Sequence, residues 1–100
     1  MNIQKMMKQA AKMQEQLSAT LAEKTVETTV GGGKIVVVAN GLGEIVSIKI
    51  SKDVVDPDDV EMLEDLVLSG VKQAIENGKA MAQGEMSKLT AGLGLPPGLM

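Results

Sequence analysis

Phe, Trp and Tyr are all missing from this 100-residue chain, and so are Cys, His and Arg. Each gap removes a class of function. Without aromatics, which usually supply much of a core's buried area, that role falls to eight Met and to the many Val, Ile and Leu. There are also no rings on which unpaired bases could stack. Without Cys there is no disulfide framework, no thiol chemistry and no thiolate metal site. Without His the commonest general base and the commonest metal ligand are gone. Without Arg there is no guanidinium fork to read a guanine edge. Nowhere do about 18 apolar residues run in succession, so neither a membrane span nor a signal peptide is expected. A cytoplasmic location follows as an expectation.

What is present is enough for one domain, since a chain this short rarely supports two cores. A core built without aromatics is thin, and the simplest way to complete it is a second copy of the same chain.

Residues 1–24 read as one helix. Ile3, Met6, Ala10, Met13, Leu17 and Leu21 recur every three or four residues, close to a coiled-coil seam. Lys5, Lys8 and Lys12 share another face, roughly opposite that seam at about 100° per residue. Residues 25–51 read as β-structure. "TVETTV" is rich in β-branched residues, "GGG" at 31–33 is a turn, "KIVVVA" is a short apolar run, and "NGLG" at 40–43 is a second turn. "EIVSIKIS" alternates, which predicts Val46, Ile48 and Ile50 on one face and Ser47, Lys49 and Ser51 on the other. Three strands with short turns form an antiparallel meander.

"DPDD" predicts a helix start with Asp56 as N-cap and Pro57 in the first position. Its inward stripe would run Leu63, Leu66, Val67, Gly70, Ala74, Gly78 and Met81, with the small residues leaving a groove for another helix. The interior glycines of "ENG" and "AQG" are places for a bend or break. The expected organisation is α+β, in the order α-β-β-β-α. It comprises a single domain over 1–91 and a flexible C-terminal tail over 92–100, "GLGLPPGLM".

Candidate chemistry is sparse. Asp53, Asp56, Asp58, Asp59, Glu61, Glu64 and Asp65 lie close together, but a calcium loop needs fixed alternating ligands and a turn glycine, and this stretch holds a proline instead. Capping and a solvated acidic face explain it. "GGGK" leads into a strand, not a helix, and lacks the spacing of a phosphate-binding loop. The Ser residues have no His to activate them. No catalytic constellation, metal, cofactor or small-molecule substrate is expected. The charge distribution is more informative. The net −3 divides into +2 over 1–24, +1 over 25–52, −7 over 53–69 and +1 over 70–100, and residues 1–12 contain no acid. A solvated helix surface is the plain reading of Lys5, Lys8 and Lys12, yet the acidity lies far from them along the chain.

The whole chain resembles the YbaB/EbfC nucleoid-associated proteins. "MMKQAAKMQEQL" is similar to that family's first helix, "GGGKIVVVANGLGEIVSIKIS" to its sheet, "DPDDVEMLEDLV" to its second-helix start and "LPPGLM" to its tail. The resemblance implies a tweezer-like homodimer whose helical arms contact duplex DNA in the nucleoid. Carried over by position, it puts Lys5, Lys8 and Lys12 in the basic segment of the first helix, and Lys72, Lys79 and Lys88 in the C-terminal helical part. Leu63, Leu66, Val67, Gly70 and Ala74 would form the core or the dimer seam. The expected function is weak DNA binding, largely without sequence specificity, because phosphate contacts by Lys need no base readout. The competing expectation is a dimeric protein-interaction module that uses the apolar tail.

Overall fold

A computed structural model describes residues 2–92, with side chains through Lys88. Helix α1 spans Ile3–Glu23; the Asn2 side chain caps it by accepting from the Lys5 N–H at 3.3 Å. Strands β1 (Thr25–Val30), β2 (Ile35–Asn40) and β3 (Ile45–Ile50) follow in an antiparallel meander, with β2 in the centre. A 3-10 turn (Lys52–Val54) leads to helix α2, which spans Val60–Gly92. The flexible tail expected over 92–100 lies outside the described residues, apart from Gly92.

Both hairpin turns follow from glycine. Gly31, Gly32 and Gly33 all have positive φ, a succession no other residue adopts without strain. At the second turn Asn40 organises the loop. Its Oδ1 accepts from the N–H groups of Leu42 and Glu44, and its Nδ2 donates to Glu44 Oε1.

The expected alternation on β3 is corrected by a β-bulge. Ala39 pairs with Ile45, but Val38 pairs with Ser47, so Val46 is an extra residue. Ile45, Ile48 and Ile50 therefore share the face that Ile35, Val37 and Ala39 present to α2, and Ile45 joins the expected set.

Two expectations for α2 are also corrected. The helix begins at Val60: Asp56 instead accepts from the Asp58 N–H in a turn, and Asp59 Oδ1 caps α2 by accepting from the Met62 N–H at 3.3 Å. The small-residue stripe meets the sheet, not another helix. Gly70 lies against Val30 and Val37, and a Cβ on Gly78 would fall 2.5 Å from the Asn40 carbonyl oxygen. The helix runs unbroken through both suspected break points, since Gly78 serves this close approach.

Ile35, Val37, Ala39 and Ala74 are fully buried, with Leu63, Leu66, Val67 and Val71 packed around them. Asn77 Nδ2 donates to the Thr28 hydroxyl at 2.8 Å, which registers α2 over β1. Helix α2 covers β1 and β2 and leaves β3 largely open: Ile48 and Ile50 are both 41% exposed. The molecule measures 68 × 25 × 16 Å with a radius of gyration of 18.6 Å. A compact chain of this length would have about 13 Å.

Candidate nucleic-acid interface

That length comes from an arm. Helix α1 leaves the body from a root at its C-terminal end, where Leu21 is buried against Gly41. The Gly41 N–H donates to the carbonyls of Leu21 (2.8 Å) and Lys24 (3.1 Å), and Asn40 Nδ2 reaches the Ala22 carbonyl. Asn40 thus joins the turn to α1, while its own carbonyl lies beneath Gly78 of α2. Only the Asn-Gly turn signal marked this residue in the sequence; its role as a junction had no local signature.

The C-terminal half of α2 runs beside the root of α1. Lys24 Nζ donates to Glu85 Oε1 at 2.6 Å, and Lys88 Nζ lies 3.6 Å from the same oxygen. The hydrogen bond from Lys24, together with the charges of Lys24 and Lys88, holds the Glu85 carboxyl below its ordinary value of 4.5, against a smaller opposing effect of desolvation. Met13, Gln16, Leu17 and Thr20 of α1 face Glu85 and Lys88 across an open cleft of about 390 Å³.

Lys5, Lys8 and Lys12 are exposed along one side of α1, and among the described residues none of the three forms an ion pair. Their spacing places them within about 60° of arc and about 10 Å of axis. Lys72 and Lys79 are exposed on the side of α2 facing away from the sheet, with Glu76 between them. Lys88 points instead toward α1 and Glu85. The six lysines therefore form no single surface within one chain: three make a row on α1, two lie on the back of α2, and one borders the α1–α2 cleft. The acidic stretch from Asp53 to Asp65 spans the 3-10 turn and the start of α2. Glu85, absent from the expected site, is the residue that ties the two helices. Leu63, Leu66, Val67, Gly70 and Ala74 all belong to the core beneath α2.

The chain thus combines the order α-β-β-β-α with a projecting first helix that bears three exposed lysines. The chain is a member of the YbaB/EbfC DNA-binding family, whose model matches residues 1–93. It is 54% identical over 98 residues to a nucleoid-associated protein of Thermoanaerobacter pseudethanolicus, covering 95% of this chain and 88% of that one. A nucleoid-associated protein of Ruminiclostridium cellulolyticum is 52% identical over 101 residues, covering 98% and 88%. The crystal structure of an uncharacterised Helicobacter pylori protein shares the fold, with a TM-score of 0.63 at 21% identity, over 81% of this chain and 94% of that one. Among the described residues no helix is long and apolar enough to cross a membrane, and no group of three or more acidic side chains is placed to hold a metal ion.

Proposed function

We propose that the protein acts in the nucleoid as a homodimer, binding duplex DNA weakly and without strong sequence preference through the lysine rows of its α1 arms. The observation that carries this reading is the row itself. Lys5, Lys8 and Lys12 are exposed, unpaired among the described residues, and borne on a helix rooted at the Gly41 end of β2, whereas the first turns of α2 pack toward Gly31 at the other end. Ammonium groups on phosphates supply affinity by releasing counterions and read no base. The acidic stretch from Asp53 to Asp65 repels the same phosphates and so confines contact to the arms.

The dimer supplies the second arm. Ile48 and Ile50 on β3, with Val46 and Val55 nearby in sequence, leave apolar area open that the core lacks the bulk to cover. A second copy fits this face, because the same surface on both partners closes a two-fold contact.

The test is a salt titration on mixed-sequence duplex. Six phosphate contacts per dimer give a slope of roughly −5 in log K against log salt. Changing Lys5, Lys8 and Lys12 together to Glu is expected to abolish binding while leaving helical content and molecular mass unchanged. Retained affinity in that variant sinks the proposal.

A further inference from the structure

Helix α1 and strand β1 are joined by a single residue. The helix ends at Glu23 and the strand begins at Thr25, so Lys24 alone forms the joint. Its backbone is extended, with φ −82° and ψ 127°. Its N–H donates to the Thr20 carbonyl, and its own carbonyl accepts from the Gly41 N–H. Rotation about those two backbone bonds aims the whole arm. Contacts at Leu21, Ala22 and Gly41 hold the base of α1, but every side chain from Ile3 to Gln16 is exposed.

The side chain of the same Lys24 carries a tie to α2. Its Nζ donates to Glu85 Oε1 at 2.6 Å. Among the described residues this is the one ion pair that links α1 or its joint to α2. The same oxygen has a second cation in reserve, Lys88 Nζ at 3.6 Å, three residues further along α2. Opposite charges at that spacing favour each other within a helix. When Lys24 leaves, the Glu85 carboxylate therefore keeps a partner, and the Lys24 side chain is already 44% exposed to water. Neither charge is stranded. A pair this open to solvent adds little to stability. At a joint, however, it selects one arm angle over others that cost little to reach.

We propose that Lys24 and Glu85 form an ionic latch on the arm. Closed, Glu85 holds Lys24 and fixes the angle of α1. Open, Glu85 falls back on Lys88 and α1 turns about the Lys24 joint. Salt is the signal that opens it, because screening weakens the bond between two elements while Lys88 stays tethered beside Glu85 by its own helix. The latch concerns the body and the arm alone, and it stands whether or not the lysine row meets DNA.

The test measures the arm angle in the full chain. The protein has no cysteine, so nitroxides can be placed on Gln9→Cys in α1 and Ala80→Cys in α2, both at exposed positions. Pulsed electron resonance then reads one intrachain distance when labelled chains are diluted with excess unlabelled chain. Residue 9 lies about 22 Å along the helix axis from Lys24, so a turn at the joint is magnified there. At low salt the native pair is expected to give a narrow distribution. At about 1 M salt, where the screening length is about 3 Å, that distribution is expected to broaden by several ångströms. Glu85→Gln is expected to be broad at every salt concentration, and Lys88→Gln to stay narrow to higher salt than the native pair. Exchanging the charges with Lys24→Glu and Glu85→Lys together is expected to restore the narrow distribution, which a merely structural role for Glu85 would not do. A native distribution of equal width at low and high salt overturns the proposal, and this series needs no change to either latch residue. A narrow distribution in Glu85→Gln also overturns it, as does opening of Lys88→Gln at the native salt concentration.

Discussion

At the scale of single residues, two glycines in one helix have opposite reasons to be there. A methyl group at Gly78 would meet the Asn40 carbonyl oxygen at 2.5 Å, a backbone atom with nowhere to move, whereas at Gly84 it would meet nothing within 4 Å. Gly78→Ala is expected to destabilise by about 1–3 kcal/mol, as overpacking does. Gly84→Ala is expected to stabilise by up to about 1 kcal/mol through helix propensity. Urea unfolding of the two variants checks both signs. Glu85 gives a pH-dependent contrast. Its carboxyl is held low in the folded state by Lys24, so the ion pair's contribution is present above 4.5 and is lost as pH falls through the lowered folded value. Glu85→Gln is therefore expected to melt below the native protein at neutral pH, with the gap narrowing on acidification. A gap that stays constant to low pH would mean the charge plays no part.

At the scale of elements, the sequence made the order and type legible because the local signals agreed. β-branched runs, a triple-glycine turn and an uninterrupted three-and-four spacing each point one way. The buried stripe through Gly70, Ala74 and Gly78 was legible too, but its counterpart was not: small residues allow close approach without saying to what. The sheet, not a helix, lies there, with valine side chains at Gly70 and the Asn40 carbonyl at Gly78. The α2 start was misplaced because "DPDD" offers several capping residues, and only the fold shows that Asp56 turns the chain before Asp59 caps it. The bulge at Val46 left no local mark, since an alternating pattern looks the same until the partner strand sets the register. For the candidate site, the spacing of Lys5, Lys8 and Lys12 already implied a row. The i,i+3 spacing of Glu85 and Lys88 already allowed their pairing, but the bond from Lys24 to Glu85 crosses 61 residues of sequence, which spacing does not reveal.

At the scale of the molecule, extent replaces bulk. Among the described residues only a handful are fully buried, and the β3 face stays open. Ile48→Asp is expected to leave the sheet and α2 in place while shifting the proposed dimer to monomer, as sedimentation equilibrium would report. The same variant is expected to lower the salt slope on DNA by about half, since one arm then makes three phosphate contacts in place of six. An unchanged mass would move the dimer contact elsewhere.

The root at Leu21 and Gly41 makes α1 a lever. With 21 residues the helix is about 30 Å long, so a rotation of 10° at that fulcrum sweeps the tip by about 5 Å. That exceeds the rise of about 3.4 Å between neighbouring phosphates of one strand. Under the proposed arm contact, small repacking around Asn40, far from Lys5, Lys8 and Lys12, would be geared up into a change of which phosphates the tip meets.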